Sequence, residues 1–375
     1  MKKLLSMFAV AMCATVGLTA CGGAEEAKTE TPQTGNQTTV KVGMMTDSGT
    51  IDDKSFNQGT WAGIQQYAAD HTGVEVKYVQ PGGEAKEDYL SAADNLIMSG
   101  NQIIVAPGFK FEEAINELQV ANPDTKFIIL DGQPAEMAEN TVAIYFAEQE
   151  AGFLAGVAAA LQTQTGKVGF IGGMKIPAVE KFGFGYVAGV AYANATYGLE
   201  VEVADYLYNG TFTDVQGGQA QAGGMYDKGI DIIFTAAGRV GSGVITEAKT
   251  RAEAGDKVYV IGVDVDQYED GINNQETNES VILTSALKRV DNASYTKVDE
   301  FINGTFTGGE VITMTAEVDG VGLPETNPNL TTETQETVNE LLANIKAGNL
   351  VIPSTEADVQ SFLSEMGYQG AKINF

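Results

Sequence analysis

A carboxylate, an aromatic ring and a carboxamide stand close together in Asp47-Ser48-Gly49-Thr50-Ile51-Asp52-Asp53-Lys54-Ser55-Phe56-Asn57-Gln58. With Asp47 on a loop and Phe56 and Asn57 on the first turn of the next helix, the set suits a planar ring with hydrogen-bonding edges. Ser55 and Gln58 form an S-x-x-Q capping box, which predicts a helix start near Phe56. The same residues also read as a helix cap, with acids favouring the helix N-terminus and a core Phe. Residue types leave both readings open.

Two further carboxylates close apolar runs: Asp131 ends KFIILD (126–131), and Asp264 follows VYVIGV (258–263). A carboxylate at a strand tip can accept two hydrogen bonds from a vicinal diol, so two tips facing across a cleft suit a sugar or ribose. A tip Asp can equally cap the next helix. Phe212, in Thr211-Phe212-Thr213-Asp214, offers a second aromatic plate or a core ring. Gly238, in Ala236-Ala237-Gly238-Arg239-Val240-Gly241-Ser242-Gly243, lets backbone N–H groups approach a ligand. That run has neither G-K-[ST] nor G-x-G-x-x-G, so it is not a phosphate loop. Lys288, after VILTSAL (281–287), can neutralise cleft carboxylates or begin a solvated helix.

The rest of the composition narrows the chemistry. The chain has 375 residues, 22 Lys plus Arg and 50 Asp plus Glu, for a net charge of -28. Such a surface is repelled by phosphate backbones, which argues against nucleic acid as a partner. His71 is the single histidine, and Cys13 and Cys21 are the two cysteines. A His–Cys metal site and a disulfide framework are therefore not expected, and neither is a cofactor.

These residues must be held by something, and the strand pattern says what. Short apolar runs recur at 40–45, 74–79, 102–107, 126–131, 141–146, 167–172, 201–206, 231–237, 258–263, 281–287 and 311–316. Helical stretches alternate with them, among them 55–70, 86–99, 111–121, 148–162, 179–195, 214–228, 242–253 and 290–303. Continuous apolar strands separated by helices predict α/β architecture with doubly wound parallel sheets. So many strands divide into two lobes, those from 40 to 131 in the first and those from 167 to 263 in the second. The segments at 141, 281 and 311 read as crossings between lobes. Gly183-Phe184-Gly185-Tyr186-Val187-Ala188-Gly189 reads as close helix packing. Ligands of open parallel sheets bind beyond the strands' carboxyl ends, where the carboxylates above fall.

At the N-terminus, Lys2 and Lys3 precede an apolar run too short to span a bilayer comfortably. Leu18-Thr19-Ala20-Cys21 resembles a bacterial lipobox. Residues 1–20 are thus expected to be a signal peptide and Cys21 the site of lipidation, with diacylglycerol on its sulfur. Residues 21–38 are expected to be a solvated tether to a cell membrane, on its extracytoplasmic side.

Taken together, the segments from about Val40 to Phe375 resemble the basic membrane lipoprotein family, purine-nucleoside-binding lipoproteins of ABC importers. The most specific piece is Asp47-x-Gly49-x-x-Asp52-Asp53-x-Ser55-Phe56-Asn57. Glu150-Ala151-Gly152-Phe153-Leu154-Ala155-Gly156, Gly262-Val263-Asp264-Val265-Asp266-Gln267 and Thr284-Ser285-Ala286-Leu287-Lys288 support it. The resemblance implies a two-lobed type I periplasmic-binding-protein fold with three crossings. Lobe one would span 39–147 and 287–312, lobe two 148–286 and 313–375. A purine nucleoside (adenosine, guanosine or inosine) would bind between them. Asp47 and Asn57 would bond the base edge and Phe56 and Phe212 stack on its faces, with Phe182 a competing aromatic. Asp131 and Asp264 would hold the ribose, helped by Gly238 N–H and Lys288. The closed monomer would dock on a membrane permease, and no bond would be broken.

Other functions compete with this one. A sugar-binding protein of the same fold is the nearest, although the only Trp, Trp61, lies inside the first helix. A nucleoside-sensing lipoprotein without transport shares every motif. A nucleoside hydrolase would need a D-x-D-P-G-x-D-D calcium loop. Here Met45 stands where its first Asp should be, Ser48 replaces Pro, and an extra residue follows Gly49.

Overall fold

A computed structural model describes residues 39–368 together with Ile373 and Phe375. The expected signal peptide, Cys21 and the tether lie outside the described residues.

The apolar runs become strands: β1 (Val40–Met45), β2 (Val74–Val79), β3 (Ile103–Pro107), β4 (Lys126–Leu130), β5 (Thr141–Phe146), β6 (Lys167–Gly172), β7 (Glu202–Tyr208), β8 (Ile232–Ala236), β9 (Tyr259–Asp264), β10 (Ile272–Asn274), β11 (Glu279–Ser280), β12 (Ile282–Lys288), β13 (Glu310–Met314) and β14 (Val321–Gly322). They build two six-stranded sheets, ordered β13-β5-β4-β3-β1-β2 and β14-β12-β9-β8-β6-β7. The first sheet is parallel throughout. In the second, β14 runs antiparallel at the edge beside β12, a departure from the all-parallel expectation. A small hairpin, β10 with β11, stands apart. Every residue of β3 and β8 is buried, as helices on both faces require. At the edge, β2 exposes Glu75, Lys77 and Tyr78.

The runs at 141, 281 and 311 are sheet strands, not free crossings. Each is the last strand of its lobe before the chain changes sides. Strand β12 stays paired with β14 through Lys288 and β13 stays paired with β5 through Met314. The second and third crossings therefore fall at Arg289 and Thr315, a little beyond the expected boundaries at 287 and 313. The first falls at Ala147, ahead of the helix Glu148–Gln162.

That helix packs on Pro177–Tyr197 at unusually close range. A Cβ added at Gly156 would lie 2.1 Å from the Tyr186 carbonyl oxygen, and one at Gly189 would lie 2.1 Å from that of Phe153. The glycine spacing thus serves helix packing, as the sequence predicts. It also seats Phe182 at the cleft between the sheets and Glu148 in the interior behind it, one on each helix.

Candidate functional site

The loop after β1 is organised by a residue that the sequence reading did not single out. Asp53, 5% exposed, accepts the backbone N–H groups of Ser55, Asn57 and Gln58, each at 3.0 Å. It thereby caps the helix Phe56–Asp70 and satisfies its orphan donors. The expected capping box does not form, because Ser55 makes no side-chain cap bond. Its hydroxyl instead donates to Asp264 Oδ2 in the other lobe. Gln58 Oε1 accepts the Lys54 N–H at 3.2 Å.

Asn57 is bonded through both atoms of its amide within this loop. Its amide nitrogen donates to Asp47 Oδ1 and Asp53 Oδ2, both at 2.8 Å, and its oxygen accepts the Asp47 N–H at 3.1 Å. Both amide hydrogens are thus engaged within the loop, and a bond from Asn57 to a base edge would use the second lone pair of its amide oxygen. Its work is to orient Asp47. The Gly49 N–H adds a bond to Asp47 Oδ1 at 2.9 Å. Burial pushes the Asp47 carboxyl up from its ordinary range, while the Gly49 and Asn57 bonds oppose that shift.

Asp131 and Asp264, at the tips of β4 and β9, both adopt left-handed backbone, with φ of 54° and 66°. Non-glycine residues held there mark strained, over-determined positions that cluster at functional sites. Lys288, 3% exposed, donates to Asp131 Oδ2 and lies 3.3 Å from Glu148 Oε1. Glu148 Oε2 is 3.4 Å from Lys181 Nζ. The four groups form a chain of alternating charge, as buried ions require. Burial alone would lower the Lys288 ammonium, but Asp131, Glu148 and Asp264 hold it above its ordinary range. Burial pushes Asp264 up to about 6, against Lys288 and the Ser55 hydroxyl. It pushes Glu148 up to about 7, against Lys288 and Lys181. Asp131 Oδ1 is buried without a hydrogen-bond partner among the described residues.

The cleft between the sheets holds about 680 Å3 of space between its walls, counted out into open solvent. Asp47, Phe56, Asn57, Asp131, Phe212, Gly238, Asp264 and Lys288 all line it. Phe56 lies under the Lys288 ammonium, 4.8 Å from ring centroid to Nζ. Phe212 packs against Gly173, where an added Cβ would lie 2.4 Å from the ring. Phe182 also lines the cleft, so both candidate aromatics are present. Phe182 is 2% exposed and meets Phe234 edge-on at 5.9 Å, which makes it a core ring with one face on the cleft. Gly238 has φ of 56° and precedes the helix Arg239–Glu253, whose Arg239 lines the rim. Arg239, Phe109 and the buried Glu148 were not anticipated. For Glu148 the available signal was an acid two residues past a buried strand, at the start of an apolar helix.

Asp47 and Asp53 spend oxygens on N–H donors, and among the described residues no group of three or more His, Cys, Asp or Glu is placed to hold a metal ion.

Residues 40–356 match the Bmp family, described as PnrA-like ABC transporter substrate-binding proteins. The chain belongs to this family. Among Bmp relatives, a CD4+ T-cell-stimulating antigen of Listeria innocua serovar 6a is 34% identical over 366 residues, covering 94% of this chain and 99% of that protein. The ABC transporter nucleoside-binding protein BmpA of Lactococcus lactis subsp. cremoris is 31% identical, with 94% and 99% covered. A crystal structure of an ABC transporter solute-binding protein from Aeropyrum pernix K1 superposes with a TM-score of 0.74 at 26% identity, covering 88% of this chain and 97% of that one. The two lobes and three crossings of this Bmp protein are thus those of the periplasmic-binding-protein fold. As an ABC transporter substrate-binding protein it implies a permease partner and work at a membrane's extracytoplasmic side. Among the described residues no helix is long and apolar enough to cross a membrane.

Proposed function

We propose that the cleft binds purine nucleosides and hands them to a membrane permease. The observation that carries this reading is the pair of strand-tip carboxylates. Asp131 Oδ1 is buried beside the cleft with no bond among the described residues, and Asp264 lines the cleft from the other lobe. A ribose diol supplies the hydroxyl donor that this Asp131 oxygen lacks, and so repays its desolvation. Phe56 and one of Phe212 or Phe182 supply ring faces for a base, worth about 1–3 kcal/mol per stacked base. Asp47, fixed through its Oδ1, presents Oδ2 to N–H donors on the base edge. A ligand touching both lobes favours the closed form, which is what a permease would read.

Asp47, Asp131 and Asp264 oppose a phosphate, so uncharged nucleosides are favoured over nucleotides. The relative from Lactococcus lactis that carries "nucleoside-binding" in its name supports the same class. We further propose that the protein acts as a monomer, anchored through lipid on Cys21.

Titration calorimetry with adenosine, guanosine, inosine, their monophosphates and common sugars tests the ligand class. Nucleosides are expected to bind and monophosphates to fail. Tight binding of a sugar or a monophosphate, with no heat from nucleosides, would overturn the reading. Incubation with inosine and calcium is expected to release no hypoxanthine beyond the amount of protein present.

A further inference from the structure

The crossings between lobes are tied together by the first turn of one helix, Glu148–Gln162. Glu148 is the first residue after the crossing at Ala147, and Lys288 is the last before the crossing at Arg289. Their side chains are 1% and 3% exposed and 3.3 Å apart. Two residues on, Glu150 Oε2 accepts the Ala316 N–H at 2.7 Å, just past the third crossing. The Ala147 N–H donates to the Met314 carbonyl at 3.0 Å. Glu148 does not line the cleft. It stands behind Lys288, which reaches across the lobe boundary to Asp131.

We propose that Glu148 is a positioning residue for the ligand site: its carboxylate holds the Lys288 ammonium between the hinge and Asp131, and strong ligand binding requires it ionised. The proposal rests on the nucleoside reading above. With Glu148 charged, Lys288 is shared between two acids. With Glu148 neutral, the ammonium is drawn onto Asp131 and competes with ligand hydroxyls for that carboxylate. The hinge also loses the ion pair between its first two crossings.

The charged groups around Glu148 allow such a change near neutrality. Lys288 at the β12 tip and Lys181 on the helix Pro177–Tyr197 favour its ionised form, while burial and Asp131 at the β4 tip oppose it. Asp264 at the β9 tip acts on the same lysine. Glu317, by the third crossing, acts on Glu150.

Affinity for guanosine, inosine and adenosine is measured by calorimetry across pH for wild type, Glu148→Gln and Lys181→Met. At about pH 8.5, Glu148→Gln is expected to bind roughly tenfold or more weakly than wild type, and the ratio to shrink toward one by about pH 6. Titration of Asp264 is shared by both proteins and largely cancels in that ratio. The Lys181 side chain is 25% exposed, so its replacement is readily tolerated and carries the test if Glu148→Gln does not fold. Losing that cation raises the Glu148 pKa, so Lys181→Met should keep wild-type affinity at high pH and move the midpoint upward. A ratio independent of pH, or an unmoved midpoint in Lys181→Met, overturns the proposal while nucleoside binding stands. No nucleoside binding by wild type at any pH overturns both.

Discussion

The Ser55 hydroxyl donates to Asp264 Oδ2, joining the start of a lobe-one helix to the tip of a lobe-two strand. Both residues are buried, and Asp53 has already taken over the capping that Ser55 would otherwise do. Ser55 is therefore free to close the lobes on each other. Beside it, Gln267 Nε2 donates to the Lys54 carbonyl at 2.6 Å, and Lys54 Nζ lies 3.2 Å from Asp270.

Ser55→Ala should cost about 1–3 kcal/mol of unliganded stability, because a buried carboxylate loses a donor. The loss should vanish when Asp264 is already Ala, which has no acceptor for the hydroxyl, and this identifies it as one shared interaction. Urea melts of the two single variants and the double variant check this. Additive losses would mean that Ser55 acts within its own lobe.

Asp131→Asn and Asp264→Asn should weaken nucleoside binding roughly tenfold to more than a hundredfold, as expected for bonds to a charged acceptor. Asn tolerates the left-handed backbone, whereas Ala there costs about 1–2 kcal/mol. Each Asn variant should thus be more stable than its Ala counterpart at equal loss of affinity. Melting curves with and without nucleoside separate the two effects. Unchanged ligand-induced shifts in both Asn variants would remove these carboxylates from the site.

The two aromatic candidates should part company on truncation. Phe212→Ala should lower affinity by about 1–3 kcal/mol and leave the fold nearly intact. Phe182→Ala should cost about 3–5 kcal/mol of stability, since it empties a core position. Calorimetry and chemical denaturation, read together, check the assignment. An affinity loss confined to Phe182→Ala would make Phe182 the stacking ring.

Unliganded stability should rise as the solution is made mildly acidic. Burial raises Asp264 to about 6 and Glu148 to about 7 in the folded state, above their ordinary values. Between the two sets of values the folded protein holds more protons than the unfolded chain. Stability therefore falls as pH rises from about 4.5 to 7 and returns on acidification. Each pH unit of that gap corresponds to about 1.4 kcal/mol per group. Melting temperatures from pH 5 to 8 should show a shallower slope in Asp264→Asn and Glu148→Gln than in wild type. Identical slopes in all three would show that neither group titrates there.

Cys21→Ala should abolish labelling with palmitate and leave the folded domain's melting temperature unchanged. Globomycin should likewise leave an unprocessed form. Labelling that persists in Cys21→Ala would place the lipid elsewhere.

Most of the scaffold was legible because its signals are local. Runs such as Phe127-Ile128-Ile129-Leu130 are apolar on both faces, and a strand so composed must be covered on both sides. Asp131 and Asp264 end such runs, so the sequence alone determined that they stand at strand tips, on the edge that lines the cleft. The residue types of the Asp47–Asn57 loop likewise determined its place at the first strand-to-helix turn. The division of labour within the site was not determined there. Asp47, Asp52 and Asp53 are alike as sequence, and only the folded loop decides that Asp53 caps, Asp47 faces the cleft and Asn57 spends both hydrogens between them. Ser55 meets Asp264 across 209 residues and Lys288 meets Glu148 across 140. Helical and strand periodicity reports on neighbours a few residues apart, whereas an ion pair forms wherever two lobes bring opposite charges out of water. Which acids pair with Lys288, and which meets the Ser55 hydroxyl, is decided by the packing of two sheets that meet only after the chain has crossed between them.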